Sequence, residues 1–216
     1  MIRSRLIAYS RLCIVAMFAF SCADGGAPTA PGTIGTDLAP PQADSIGSTT
    51  SDEWIEIPPS STPYGKAVKG VRWSPSRVLV ELSVEGRIGP AGGTLLIPGA
   101  DFAIYFPEGA LRTPTTITIV SKESPWITYD MLPHGLVFAK PVYAMQGLWN
   151  TTAYGTPLAY RVFGAYLESG KEAVGADDSA TASETTQSFI FQGRSRIPTW
   201  SVWLLNHFSR YMLASG

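Results

Sequence analysis

The chain has 216 residues, 45% hydrophobic and 11% aromatic, enough for one packed domain plus some chain outside it. Charged residues make up 15%, against about 25% in an ordinary soluble domain, which points to an envelope or extracellular β protein. A net charge of −1 without any basic run argues against nucleic acid or other polyanions as partners.

Residues 1–21 have the features of an export signal. Arg3, Arg5 and Arg11 make a basic start, Leu12 to Phe20 is an unbroken apolar run, and no acidic residue precedes Asp24. The run is too short for a membrane-spanning helix, which needs about 20 residues, so a cleavable signal is expected rather than an anchor helix. It ends in Ala19-Phe20-Ser21-Cys22, which resembles the lipobox of bacterial lipoproteins, with Ala19 in place of the usual leucine. The resemblance implies acylation of Cys22 as the new N-terminus and attachment to a membrane of the cell envelope. Ordinary cleavage after Ala23 is the alternative. Cys13 leaves with the signal, so the mature chain holds Cys22 alone and cannot form an internal disulfide. The mature chain keeps 13 basic and 17 acidic residues, a net charge of −4.

Residues 22–76 are rich in Pro, Gly, Ser, Thr and Ala, and their apolar residues follow neither a helical nor a strand period. Such a segment buries too little surface to offset its conformational entropy, and a flexible spacer is expected. About 50 residues of flexible coil would hold a domain roughly 40 Å from its anchor. The run Glu53-Trp54-Ile55-Glu56-Ile57 is an exception, either an early strand or a segment that docks on the domain.

Over 77–216 the pattern changes. Val78, Val80, Leu82 and Val84 alternate with Leu79, Glu81, Ser83 and Glu85, as in a half-buried strand. Further β-rich runs follow: "GGTLLIP", "FAIYF", "TTITIVSKE", "LVFAKPVYAMQGLW", "PLAYRVFGAYL", "TTQSFIFQG" and "TWSVWLLNHFSRYMLA". Turn formers such as Gly92-Gly93, Pro107-Glu108-Gly109 and Pro133-His134-Gly135 separate them. No window has the period and caps of a long helix. The expectation is an all-β antiparallel sandwich, with the polar run from Glu168 to Gln187 as a surface loop.

Gly92-Gly93-Thr94-Leu95, the "FPEGAL" run from Phe106 to Leu111, the "TTITI" run and the block Pro133 to Val142 resemble a ZU-five domain. That β-sandwich is shared by zonula occludens proteins, ankyrins and netrin receptors. The closing "HFSRYMLA" is similar to the family's last strand, and the resemblance spans Glu85 to Ala214. It implies a fold used mostly for protein contact or mechanical linkage, so an envelope or extracellular protein is the expected partner. The same residues have local reasons. Gly92-Gly93 and Gly109 permit positive φ, Pro107 presets a turn, and Pro141 belongs at a strand start or edge.

Signatures of hydrolase, zinc-protease, nucleotide-binding and dithiol sites are absent, and no cofactor is implied. His134 and His207 are far apart, with no metal-ligand spacing. His134 sits in a turn and suits a local hydrogen bond. Asn150-Thr151-Thr152 fits a glycosylation acceptor, of little weight behind a bacterial-type signal. Trp54, Trp73, Trp126, Trp149, Trp200 and Trp203 raise a glycan-binding alternative, since exposed aromatic rings stack on sugars. Trp200 and Trp203 have opposite parity, so at most one faces the core of a regular strand.

His207-Phe208-Ser209 is the one candidate for chemistry. It resembles the cleavage site of self-cutting domains, among them one in a death-domain protein that carries ZU-five modules. The resemblance implies Ser209 as nucleophile, His207 as base and the Phe208 carbonyl as the group attacked. On a regular strand His207 and Ser209 share one face while Phe208 fills the core, and the tripeptide is then simply structural.

Overall fold

The computed structural model describes residues 53–57, 66–169, 172–193 and 195–216. The export signal, Cys22, and residues 22–52 and 58–65 of the spacer lie outside the described residues. In chain order the strands begin with β1 (Glu53–Ile57), β2 (Lys66–Gly70), β3 (Leu82–Ile88), β4 (Gly93–Ile97), β5 (Phe102–Phe106), β6 (Thr115–Ser121) and β7 (Thr128–Leu132). They continue with β8 (Val137–Gly147), β9 (Val162–Leu167), β10 (Ser179–Ala182), β11 (Glu184–Thr185), β12 (Ser188–Gln192), β13 (Pro198–His207) and β14 (Arg210–Ser215).

Two antiparallel sheets pack face to face, which is the expected all-β sandwich. One sheet has the order β1-β12-β13-β8-β5-β4. The other runs β10-β2-β14-β7-β6-β3, with β9 on the free side of β14 and β11 beside β9. Alternation builds the core between them. Phe102, Ile104 and Phe106 of β5 point inward and are fully buried, as are Ile117 and Ile119 of β6 and Trp203 of β13. Each such side chain contributes about 1.5–3 kcal/mol by leaving water. Phe102 stacks on Tyr129 with centroids 3.7 Å apart, and Trp203 closes the cluster 6.0 Å from Phe102. The buried Tyr129 hydroxyl donates to Gln146 Oε1, and Gln146 Nε2 donates to the Gly147 carbonyl at 2.8 Å. Burial pushes that phenol far above its ordinary value, so it stays a neutral donor.

The turn glycines behave as expected, with φ of 76° at Gly92, 151° at Gly93 and 78° at Gly109. Four expectations need correction. The domain starts before residue 77, because β1 pairs with β12 and β2 with β10 and β14, while Val71 and Trp73 lie in the core. Val78 and Val80 are not strand residues. They are 77% and 46% exposed, and regular pairing with β6 begins only at Leu82. The polar run from Glu168 to Gln187 is not simply a loop: it contains β10 and β11, and Asp177 and Asp178 pair with Lys69 and Arg72. Pro141 lies within the central strand β8, at an irregularity where β13 pairing jumps from Val142 to Val137. Its missing N–H costs no ladder bond there.

Candidate functional site

His207, Phe208 and Ser209 do not form one continuous strand. His207 ends β13 in the six-stranded sheet and Arg210 begins β14 in the other, so the chain changes sheets at Phe208-Ser209. Phe208 is the hinge pin of this corner. It is fully buried and meets Phe138 edge to face at 4.8 Å and Phe106 at 5.9 Å. Its N–H donates to the Leu136 carbonyl at 2.8 Å, and its carbonyl accepts from the Gly135 N–H at 2.9 Å. The Ser209 carbonyl accepts from the Met131 N–H at 3.0 Å.

The His207 ring is committed elsewhere. Nε2 lies 3.2 Å from Glu184 Oε2, the ring sits edge-on to Tyr166 at 5.2 Å, and the Tyr211 hydroxyl is 3.4 Å from both ring nitrogens. Burial, followed by the charges of Glu184 and Tyr166, pushes the Tyr211 phenol well up. The structure therefore brings His207 together with Glu184 and tyrosines. Its hydrogen bonds do not reach Ser209.

His134 makes the local contact expected of a turn residue, 2.5 Å from Asp130 Oδ1. Asp130 Oδ2 accepts from Arg210 at 2.8 Å, and Arg210 also pairs with Glu172 at 2.5 Å. Burial pushes the Asp130 carboxyl up, but hydrogen bonds and charge from Arg210 and His134 outweigh it and hold it below its ordinary value. This is a structural brace across β7 and β14. Asn150 donates to Asp101 Oδ2 at 2.6 Å and Thr151 is buried, so the possible glycosylation acceptor is built into the fold. Among the described residues no group of three His, Cys, Asp or Glu side chains is arranged to hold a metal.

The tryptophans separate into two sets. Trp73 and Trp203 are core, and Trp126 is half-buried, donating to Asp178 Oδ1 at 2.8 Å beneath Arg72. Trp54, Trp149 and Trp200 instead lie on the outward face of the six-stranded sheet. Register explains why. Trp54 opposes Phe191, Phe191 opposes Trp200 and Trp200 opposes Gly147, all with outward parity. The Trp149 indole folds onto the seat left by Gly147, where an added Cβ would stand 2.5 Å from Cη2. There Trp149 meets Trp200 edge to face at 4.8 Å and stays 38% exposed. A second row holds Phe189, Val202, Met145, Ala103 and Leu96, and a third holds Leu204, Tyr143 and Tyr105.

This face combines half-buried aromatic rings with one carboxylate, Glu56, bonded by Gln187 Nε2 at 2.8 Å. Its registered positions carry no lysine or arginine. The tyrosines, phenylalanines and Leu96 were not singled out in the sequence. Their signal was present: "FAIYF" is apolar at both parities and "SFIFQ" sets Phe189, Ile190 and Phe191 in succession, although an outer sheet face ordinarily alternates to polar.

Fold and surface together define an antiparallel β-sandwich with an apolar, aromatic outer face. No protein-family model matches the chain, and comparison with curated proteins finds no match.

Proposed function

We propose that this chain is an envelope-anchored, non-enzymatic binding module, a ZU-five-like sandwich tethered through acylated Cys22. Its working surface is the outer face of the six-stranded sheet. The observation that supports this reading is the contiguous set of aromatic side chains there, open to solvent at Trp149 and Leu96, which are 38% and 52% exposed. Aromatic rings in a face poor in charge are what binding surfaces enrich.

The test uses the chain carrying Cys22→Ser, so that no lipid contributes. It should sediment with isolated cell envelopes of its source organism, and Trp149→Ala or Trp200→Ser should lower the bound fraction several-fold. Equal sedimentation of parent and variants removes this face from the function. The anchor is tested separately: Cys22→Ser should release the protein from membrane fractions in cells, and unchanged fractionation overturns the tether.

A further inference from the structure

The chemistry of the binding face narrows what it binds, an inference that rests on the proposed function above. Trp54, Phe191, Trp200 and Trp149 lie side by side across β1, β12, β13 and the end of β8. The row spans three strand spacings, about 14 Å, perpendicular to the strands. Trp54 and Phe191 have centroids 5.0 Å apart, and Trp149 and Trp200 are 4.8 Å apart. The planes of Trp54 and Phe191 are tilted by 49° and those of Trp149 and Trp200 by 89°, so each pair sets a ring face beside a ring edge, and a pyranose ring presents an apolar C–H face of matching size to the ring faces.

Polar groups border the row. The rings of Tyr105 and Tyr143 lie 6.2 Å apart on the third row, and their hydroxyls make no hydrogen bond to the described residues. Neither hydroxyl is a buried atom lacking a partner. They face solvent and are available to a ligand that carries hydroxyls of its own. Glu56 and Gln187 supply a carboxylate and an amide at the β1 edge. Among its described registered positions the face carries one carboxylate and no lysine or arginine, so it offers no cation to a polyanionic chain.

Size weighs against a second copy of this chain. The three registered rows cover about 24 Å by about 13 Å, roughly 300 Å². A stable protein interface takes about 800 Å² from each partner. A narrow, extended ligand fits the row better.

We propose that this face binds a neutral, β-linked polysaccharide, laid across the strands along Trp54, Phe191, Trp200 and Trp149. An equatorial β linkage keeps such a chain extended, so that it follows the row and its sugar C–H faces meet the ring faces presented along it. An α-linked chain coils away from a straight row.

Affinity electrophoresis of the full chain carrying Cys22→Ser tests this. The gels contain hydroxyethyl cellulose, glycol chitin or mixed-linkage β-glucan, with soluble starch and alginate as contrasts. Retardation is expected in at least one of the first three and absent in starch and alginate. Trp149→Ala, which removes an exposed ring, should weaken binding about tenfold, and Gly147→Ala should weaken it by displacing that ring. Val78→Ser, on the exposed loop before β3, should leave mobility shifts unchanged. No retardation by any neutral β-glycan, or retardation that Trp149→Ala leaves intact, overturns the glycan assignment. If glycans fail while face variants still lose envelope sedimentation, or while light scattering shows a dimer that Trp200→Ser dissolves, the binding face stands with a protein as its ligand. If the variants change none of these, the face is not a binding surface.

Discussion

His207 is paired with Glu184, Nε2 to Oε2 at 3.2 Å, across the gap between β13 and β11. That contact occupies one ring nitrogen, and no hydrogen bond among the described residues joins His207 to Ser209. A hydroxyl nucleophile needs its base within hydrogen-bond reach, and the carbonyl attacked needs donors placed for the developing oxyanion. Here the ring of His207 makes its hydrogen bonds to Glu184 and Tyr211 and none to Ser209, and the Phe208 carbonyl receives one donor, the Gly135 N–H. The Phe208–Ser209 bond is therefore expected to stay intact. Denaturing mass spectrometry of purified protein should show no species ending at Phe208, and a substantial fragment of that mass overturns this.

Phe208 earns its place through packing. Its ring is fully buried between Phe106 and Phe138 at the point where the chain passes from one sheet to the other. Phe208→Ala should cost about 3–5 kcal/mol, because both the buried area and the cavity left behind count against the fold. Denaturant unfolding reads this directly. A loss below about 1 kcal/mol would mean that the corner collapses around the smaller side chain.

The β-rich runs bounded by turn formers were legible in the sequence: "FAIYF" and "TTITIVS" become β5 and β6 with their boundaries almost unchanged. β2, β10 and β11 were not, for a physical reason. β2 is "KAVKG", with Val68 alone carrying the apolar signal, and it is held by pairing with β10 and the distant β14. Long-range pairing of this kind leaves little local pattern. Val78 to Val80 show the converse, an alternating stretch with no partner strand to pair it. The chemistry was legible as residue types but not as geometry. Nothing local announces that His207 meets Glu184, or that Phe191 stands beside Trp54.

The early strands predict a boundary. β1 contributes Ile55 and Ile57 to the main core, and Gln192 Nε2 donates to Glu53 Oε2 at 2.6 Å. Val71 and Trp73 are core residues as well, with the Arg77 guanidinium 3.6 Å over the Trp73 ring. A chain starting at Arg77 should lose cooperative unfolding, while one starting at Ser51 keeps it. Circular dichroism melts of the two distinguish these outcomes. Equal melting midpoints would return residues 53–76 to the spacer.

Asp130 predicts an acid limb of stability. Its folded pKa is depressed, so its contribution is fully present above the unfolded value near 3.9 and is lost as the pH falls through the lower folded value. Asp130→Asn removes the charge that Arg210 and His134 face, and should cost about 1–3 kcal/mol at neutral pH. The gap between parent and variant should narrow as the pH drops below about 4. A gap independent of pH would assign the loss to packing instead.

Gly92 and Gly135 allow strain and collision to be separated at the turns. Both have positive φ, 76° and 75°. A Cβ on Gly92 would stand 2.2 Å from the Phe106 carbonyl oxygen and 2.9 Å from the Pro107 carbonyl carbon, whereas one on Gly135 meets nothing within 4 Å. Gly135→Ala should therefore cost only the left-handed conformation, about 1–2 kcal/mol. Gly92→Ala adds a collision with the backbone where β4 meets β5, and no side-chain rotation relieves it. It should be the more destabilising of the two by at least about 1 kcal/mol, read as the difference in denaturation midpoints scaled by a common slope. Equal losses would show that the turn beside Gly92 opens to admit a methyl group, and that the Gly92-Gly93 turn holds its place through φ alone.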